Sequence, residues 1–230
     1  MINNELFYIM AVTNKLLHYK RERAGMNKKT VALSAEDYRE IITAIQNGFA
    51  YEQDGKQKKF RANIQLATVL QLEANIGMRV GDILNLTMAN IKKDGCRYRL
   101  DVIEQKTGKA RQFTIPTDVY AFLSEYAMNN NIGKDDFLFT VGNKKRRITE
   151  RAIQKQLKIV CDYLGIENVS THSFRKTFAT IAYTDSNYNI ELVRQLLQHS
   201  STNTTQRYIG IGSKQIEEAL QTVTSKLLIG

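Results

Sequence analysis

Apolar side chains recur along most of this chain with the period of a helix, and one stretch breaks into alternation. Leu6, Ile9, Met10, Leu16 and Leu17 set the first amphipathic pattern, over residues 2–20. A second begins at Ser34, an N-cap followed by Glu36 and Asp37, with Leu33 and Tyr38 placed to staple the entry. Its stripe of Tyr38, Ile41, Ile42, Ile45 and Phe49 carries the helix to Gly48 and beyond. The run from Lys56 to Arg61 reads as a charged loop. Ala62, Leu66, Val69 and Leu70 then line one face of a helix that Gly77 breaks. Alternation takes over next. Asp94-Gly95 signals a tight turn, Tyr98, Leu100 and Val102 alternate with Arg97, Arg99 and Asp101, and Arg111 to Ile115 repeats the pattern before Pro116 ends it. These positions predict a three-stranded antiparallel sheet over roughly 88–91, 96–104 and 110–115.

Helical spacing returns from Thr117 to about Asn129, and Phe137-Leu138-Phe139 forms a short buried segment. Thr149 caps a helix with a core stripe of Ile153, Leu157, Val160, Cys161 and Leu164, and Gly165 stops it. Further on, His172 and Arg175 lie three residues apart on one helix face, while Phe174, Phe178 and Ile181 can anchor another. Ile190, Val193, Leu196 and Leu197 make a helix ending at His199. Ser213 caps a last one, with Ile216, Ala219, Leu220, Val223 and Leu227 in its stripe. The fold class is therefore mainly α with a small three-stranded antiparallel β-sheet.

Composition narrows the partners. A chain of 230 residues can bury one good core with a small appended module. Its 33 Lys and Arg against 23 Asp and Glu give a net charge of +10, which points to a polyanion, most simply nucleic acid. Lys144, Lys145, Arg146 and Arg147 form a basic cluster suited to phosphate contacts. Cys96 and Cys161 are far apart, with no CxxC and no histidine cluster, so no zinc site is expected. The first residues carry neither a signal peptide nor a membrane span, and a reducing cytoplasm is the expected setting.

Candidate chemistry concentrates between His172 and Tyr208. Two imidazoles, a guanidinium and a phenol within one segment suit phosphoryl transfer. Arginine matches charge spread over phosphate oxygens, imidazole exchanges protons near neutral pH, and tyrosine can form a covalent phosphoester. His172-x-x-Arg175, Leu197-x-His199-Ser-Ser and Thr204-Thr-x-x-Tyr208 resemble the second box of the tyrosine recombinases, the phage-integrase family. The stretch from Asn75 to Leu86 resembles that family's first box, Thr-Gly-x-Arg-x-x-Glu-Leu, with Ile76 in place of threonine and Asp82 where glutamate is usual. Gln198 stands where a glycine usually precedes the histidine.

The resemblance covers residues 31–230 and implies a mainly helical catalytic domain that embraces one side of duplex DNA. It leaves residues 1–30 as an N-terminal helix and basic linker, of the kind that closes a core-binding domain. It implies Tyr208 as nucleophile, Arg79 and Arg175 on the non-bridging oxygens, and Lys106 as general acid, with Lys109 its competitor. His172 assists proton transfer, and His199 donates a hydrogen bond to the phosphate. No metal or nucleotide cofactor is expected, because two arginines and a lysine supply the charge. The expected partners are double-stranded DNA and other protomers, met through the C-terminal helix. A type IB topoisomerase-like nicking-closing enzyme and a non-catalytic DNA-binding regulator are the alternatives.

Overall fold

The computed structural model describes residues 30–103, 108–142, 146–209 and 213–227, with side chains of the last helix described from Leu220 on. The expected helix over 2–20, its basic linker, Lys106, Lys144, Lys145 and the turn at 210–212 lie outside the described residues.

Helix α1 (Ala35–Asn47) starts where Ser34 accepts a hydrogen bond from the Asp37 amide at 3.0 Å, and it buries Ile41, Ile42 and Ile45. It stops at Asn47, two residues short of the last position in its apolar stripe. Gly48 turns the chain at φ 70°, in a spot where a Cβ would lie 2.6 Å from the Phe60 carbonyl. Phe49 therefore leaves the helix for a hairpin, β1 (Phe49–Gln53) and β2 (Lys56–Phe60), where a charged loop was expected. Asp54 and Gly55 both take positive φ at its tip, the geometry that Asp-Gly favours in a two-residue hairpin. Phe49 stacks on Phe60 at 5.0 Å and on Tyr163 at 3.9 Å, which pins the hairpin root to the helix carrying Tyr163.

Helix α2 (Ile64–Ile76) is buried on nearly every side and ends at Gly77 in the left-handed conformation. After the short α3 (Val80–Ile83), residues 88–90 curl into a 3-10 turn closed by Thr87 and Asn90. That turn displaces the first strand expected at 88–91. The sheet runs β3 (Ile91–Asp94), β4 (Arg97–Ile103) and β5 (Ala110–Ile115), antiparallel in that order, with Leu100 opposite Ile91 and Phe113. Leu100 and Ile115 are its buried contributions to the core.

Helix α4 (Thr117–Asn129) occupies the expected span. The two-residue strands β6 (Thr140–Val141) and β7 (Arg146–Arg147) pair beside it in the chain, and Phe137, buried by expectation, is 37% exposed next to buried Leu138 and Phe139. Helix α5 (Glu150–Leu164) runs from a Thr149 cap to Gly165 and buries Ile153, Leu157, Val160 and Cys161. Helix α6 (Thr171–Asp185) sends Phe174 into the main core, but Ile181 is 53% exposed. The end of α6 instead packs through Ala179 against a second small cluster with Val193, Leu197 and Ile209. That cluster is built by α7 (Ile190–Leu196) and α8 (Thr202–Ile209). The last helix, α9 (Ser213–Leu227), leaves Leu220, Val223 and Leu227 exposed. Among the described residues no helix is long and apolar enough to cross a membrane.

Candidate active site

Three chain breaks meet where α2 ends, α6 begins and α7 gives way to α8. At the first, the Gly77 amide closes α2 on the Glu73 carbonyl at 3.1 Å, and the Phe178 ring fills the space a side chain would need. Arg79 follows at the N-cap of α3 with extended backbone, φ −72° and ψ 143°, and makes no capping hydrogen bond with its side chain. The start of α6 is capped by Ser170 and Ser173 in a reciprocal box. His172 is thus not needed as the cap and sits on the exposed side of the first turn.

Arg175 is the centre of this junction. Only 1% exposed, it donates through Nη1 to the Gly77 carbonyl and through Nη2 to the Leu197 carbonyl at 3.0 Å. The same Nη2 lies 3.2 Å from Nε2 of His199. One guanidinium thus fastens the end of α2 to the end of α7, while its Nε has no partner. Burial lowers its pKa, and the nearby charge of Arg79 adds to that; Tyr208 and Glu73 oppose it. Glu73 is itself fully buried, and neither carboxyl oxygen closes a well-formed hydrogen bond, although the Val80 amide lies close. Burial holds its pKa well above the carboxylate range, against the pull of Arg175.

His199 is 5% exposed. Desolvation, then the positive charges of Arg175 and Arg79, push its pKa down to about 4. A neutral ring fits its contacts: Nε2 accepts from Arg175, and Nδ1 lies 3.0 Å from Oγ1 of buried Thr205, where its proton can be donated. In this arrangement Nε2 is an acceptor. Donating to a phosphate requires the ring to gain a proton or to release Arg175. The His199 and Tyr208 rings meet edge to face at 5.0 Å, and the Arg175 guanidinium lies 5.7 Å from the Tyr208 ring centre. His172 also has a lowered pKa, through desolvation first and then Arg175, with Arg79 contributing. Both imidazoles are therefore neutral near pH 7.

The structure brings Arg175, His199 and Tyr208 into direct contact, with Arg79 close enough for its charge to be felt and His172 close enough to feel both arginines. It cannot place Lys106, which lies outside the described residues; Lys109 is exposed just before β5. Lys176, next to Arg175 in the chain, donates to the Thr30 carbonyl. Sequence reasoning missed Thr205, Glu73 and the Gly77 carbonyl. Thr205 carried a signal, since it sits one helical turn before the tyrosine. Glu73 carried none, because its burial depends on partners distant in sequence. Among the described residues no group of three or more His, Cys, Asp and Glu could hold a metal. Two guanidiniums, two neutral imidazoles and a phenol are gathered at one junction, a set of groups chemically suited to hold an anion and to move a proton.

Comparison with known proteins bears on the family and the fold. The model of the phage integrase family matches residues 31–214. Tyrosine recombinase XerC of Caldanaerobacter subterraneus subsp. tengcongensis is 26% identical over 194 residues, 83% of this chain and 50% of that protein. Tyrosine recombinase XerH of Helicobacter pylori is 25% identical, over 94% of this chain and 58% of the relative. The probable integrase/recombinase YoeC of Bacillus subtilis is 30% identical over 60% of this chain and 72% of its own length. This chain thus spans about half the length of the two Xer relatives. Among solved structures, XerH bound to a palindromic difH substrate in a post-cleavage complex aligns with a TM-score of 0.63 at 21% identity, over 85% of this chain and 53% of that one. XerA recombinase aligns with a TM-score of 0.62 at 21% identity, over 86% of this chain and 65% of that one. A lambda integrase dimer bound to a core site aligns with a TM-score of 0.60.

Proposed function

The chain belongs to the phage integrase family, and from that premise we propose that it is a site-specific recombinase that cuts and rejoins duplex DNA through a 3′-phosphotyrosyl intermediate. The observation that carries the reading is the contact of Tyr208 with both Arg175 and His199 in a pocket that Arg79 makes more positive. The Tyr208 oxygen attacks the scissile phosphorus, and the bond to the 5′-oxygen breaks. Arg79 and Arg175 hold the non-bridging oxygens as charge builds on them. Neutral His172 takes up the phenolic proton, and Lys106 gives one to the departing 5′-oxygen. A 5′-hydroxyl from another strand reverses these steps and releases the tyrosine. The energy of the broken phosphodiester is kept in the phosphotyrosine bond, so rejoining needs no nucleotide.

Partners follow from the same reading. The net charge of +10 and the DNA complexes known for the similar XerH and lambda integrase support a duplex ligand. The exposed Leu220, Val223 and Leu227 on α9 support docking of this helix on a neighbouring protomer in the DNA-bound assembly. Residues 1–30 fit the end of a core-binding module that would grip the opposite face of the duplex. A nicked suicide duplex, which loses a short fragment after cleavage, tests the central step: a covalent adduct at the 3′-phosphate is expected, and its absence on every duplex carrying the cognate site refutes the reading. Removing residues 213–230 should impair assembly of paired sites more than binding to one, and equal assembly would refute the trans-docking role.

A further inference from the structure

Gln198 lies in the turn between α7 and α8 with φ +54°, a backbone conformation that is costly for a residue with a Cβ. The recombinase pattern has glycine at this place, so something must offset the strain. The side chain does not hang free. Its Nε2 donates to the main-chain carbonyl of Gln112 at 2.8 Å, across 86 residues of sequence. Gln112 belongs to β5, an outer strand of the sheet, where among the described residues no further strand pairs with an outward carbonyl. On either side of Gln198, the turn is held by an arginine, one of them the Arg175 of the site. The Leu197 carbonyl accepts from Arg175 at 3.0 Å and the His199 carbonyl from Arg194 at 2.8 Å.

We propose that Gln198 is a positioning residue that ties the outer edge of the sheet to the Leu197–His199 turn. Strand β5 is the one the chain enters directly after Lys106 and Lys109. A tether at Gln112 therefore sets how that strand lies against the turn that carries His199 and leads to Tyr208. The proposal rests on the recombinase reading above, and it assigns Gln198 a part in delivering the proton to the leaving oxygen. Neighbouring polar contacts do not replace the tether. Arg194 is occupied by Glu191, at 2.6 Å, and by the His199 carbonyl, and Gln195 donates to Glu191 at 3.0 Å.

Two variants of the full chain separate positioning from simple stability. Gln198→Gly and Gln198→Asn both suit the left-handed backbone. Glycine has no side chain, and asparagine is one methylene too short to reach Gln112. Both should unfold at denaturant concentrations no lower than the parent, and both should bind the suicide duplex equally well. Single-turnover cleavage by both should slow about three- to tenfold, as loss of one neutral hydrogen bond that acts in the transition state would give. A duplex with sulfur in place of the bridging 5′-oxygen adds the decisive reading, because a thiolate departs without a proton. On that substrate both variants should cleave as fast as the parent. Cleavage of the ordinary duplex at the parent rate, slowing by the glycine variant alone, or a deficit that persists with sulfur would each overturn the proposal. Failure of the parent itself to form an adduct would instead remove the recombinase reading on which the role depends.

Discussion

Replacing Gly77 by alanine perturbs the fold and the candidate site through one methyl group. Gly77 has φ 63° and ψ 21°, and a Cβ there would stand 2.4 Å from the Phe178 ring. The left-handed conformation costs an alanine roughly 1–2 kcal/mol. Forcing the ring aside adds about 1–3 kcal/mol, and the stiffer unfolded chain returns somewhat under 1 kcal/mol. A net loss of about 3 kcal/mol follows, which for a domain of this size lowers the melting temperature by about 6–12 °C. The Gly77 carbonyl is an Arg175 acceptor, so a shifted backbone also misplaces the guanidinium and should slow single-turnover cleavage by about 10- to 100-fold. Urea unfolding of Gly77→Ala, Phe178→Leu and the double variant separates the two costs. Leucine vacates the ring's space, so the alanine should cost at least about 1 kcal/mol less in that background. A loss below about 0.5 kcal/mol in the single variant, or additive costs in the double, would refute the steric argument.

Other expectations concern the charged and reactive groups. Tyr208→Phe should abolish adduct formation and leave duplex binding intact in a gel-shift assay; an adduct formed by this variant would mean another nucleophile. Arg79→Ala and Arg175→Ala should each slow cleavage by about 10²-fold or more even with excess chelator present. Arg175→Ala should also cost roughly 3–5 kcal/mol of stability, because it strands two buried carbonyls. Folded His199 titrates near 4 and its unfolded form near 6.5, so the unfolded chain binds the extra proton between those values. Stability is full above about pH 6.5, falls as pH drops toward 4, and His199→Gln should flatten that slope in urea midpoints. Glu73 has the opposite sign: its folded pKa lies above the unfolded 4.5, so stability is lost as pH rises past that value. Glu73→Gln should accordingly gain midpoint at pH 8 relative to pH 5, and an equal loss at both pH values would show a charged Glu73 paired with Arg175.

Local patterns made much of this legible from the residues alone. The caps at Ser34 and Thr149, the stop at Gly165 and the span of α4 depend on neighbours within a turn or two, and they lie where expected. Both motif boxes are local too, and the fold sets Arg79 close enough to Arg175 for its charge to be felt there. The hairpin at Phe49–Phe60 was missed although Asp54-Gly55 carries the same signal as Asp94-Gly95. Its strands are so rich in lysine that they read as loop, and the buried Phe60 together with the stack of Phe49 on Phe60 and Tyr163 explains why they order. Helix α8 was missed because it is short and buries only Thr205 and Ile209. The exposure of Ile181, the orientation of His199 and the reach of Gln198 follow from contacts between distant segments, which no spacing rule records.

The place of Arg175 has one more consequence. A cation proposed to hold phosphate could have sat on a flexible surface arm, ready whether or not the rest of the domain had formed. Instead its guanidinium bridges the ends of two helices. A nascent or heat-damaged chain that has not closed this junction has neither the joined core nor the charge beside Tyr208. Under the proposed recombinase function, such a chain would still hold DNA through exposed lysines but would lack the charge needed to nick it. Completion of folding would then act as a safety interlock on Tyr208, and loosening the junction would disarm the protein before it could cut at random.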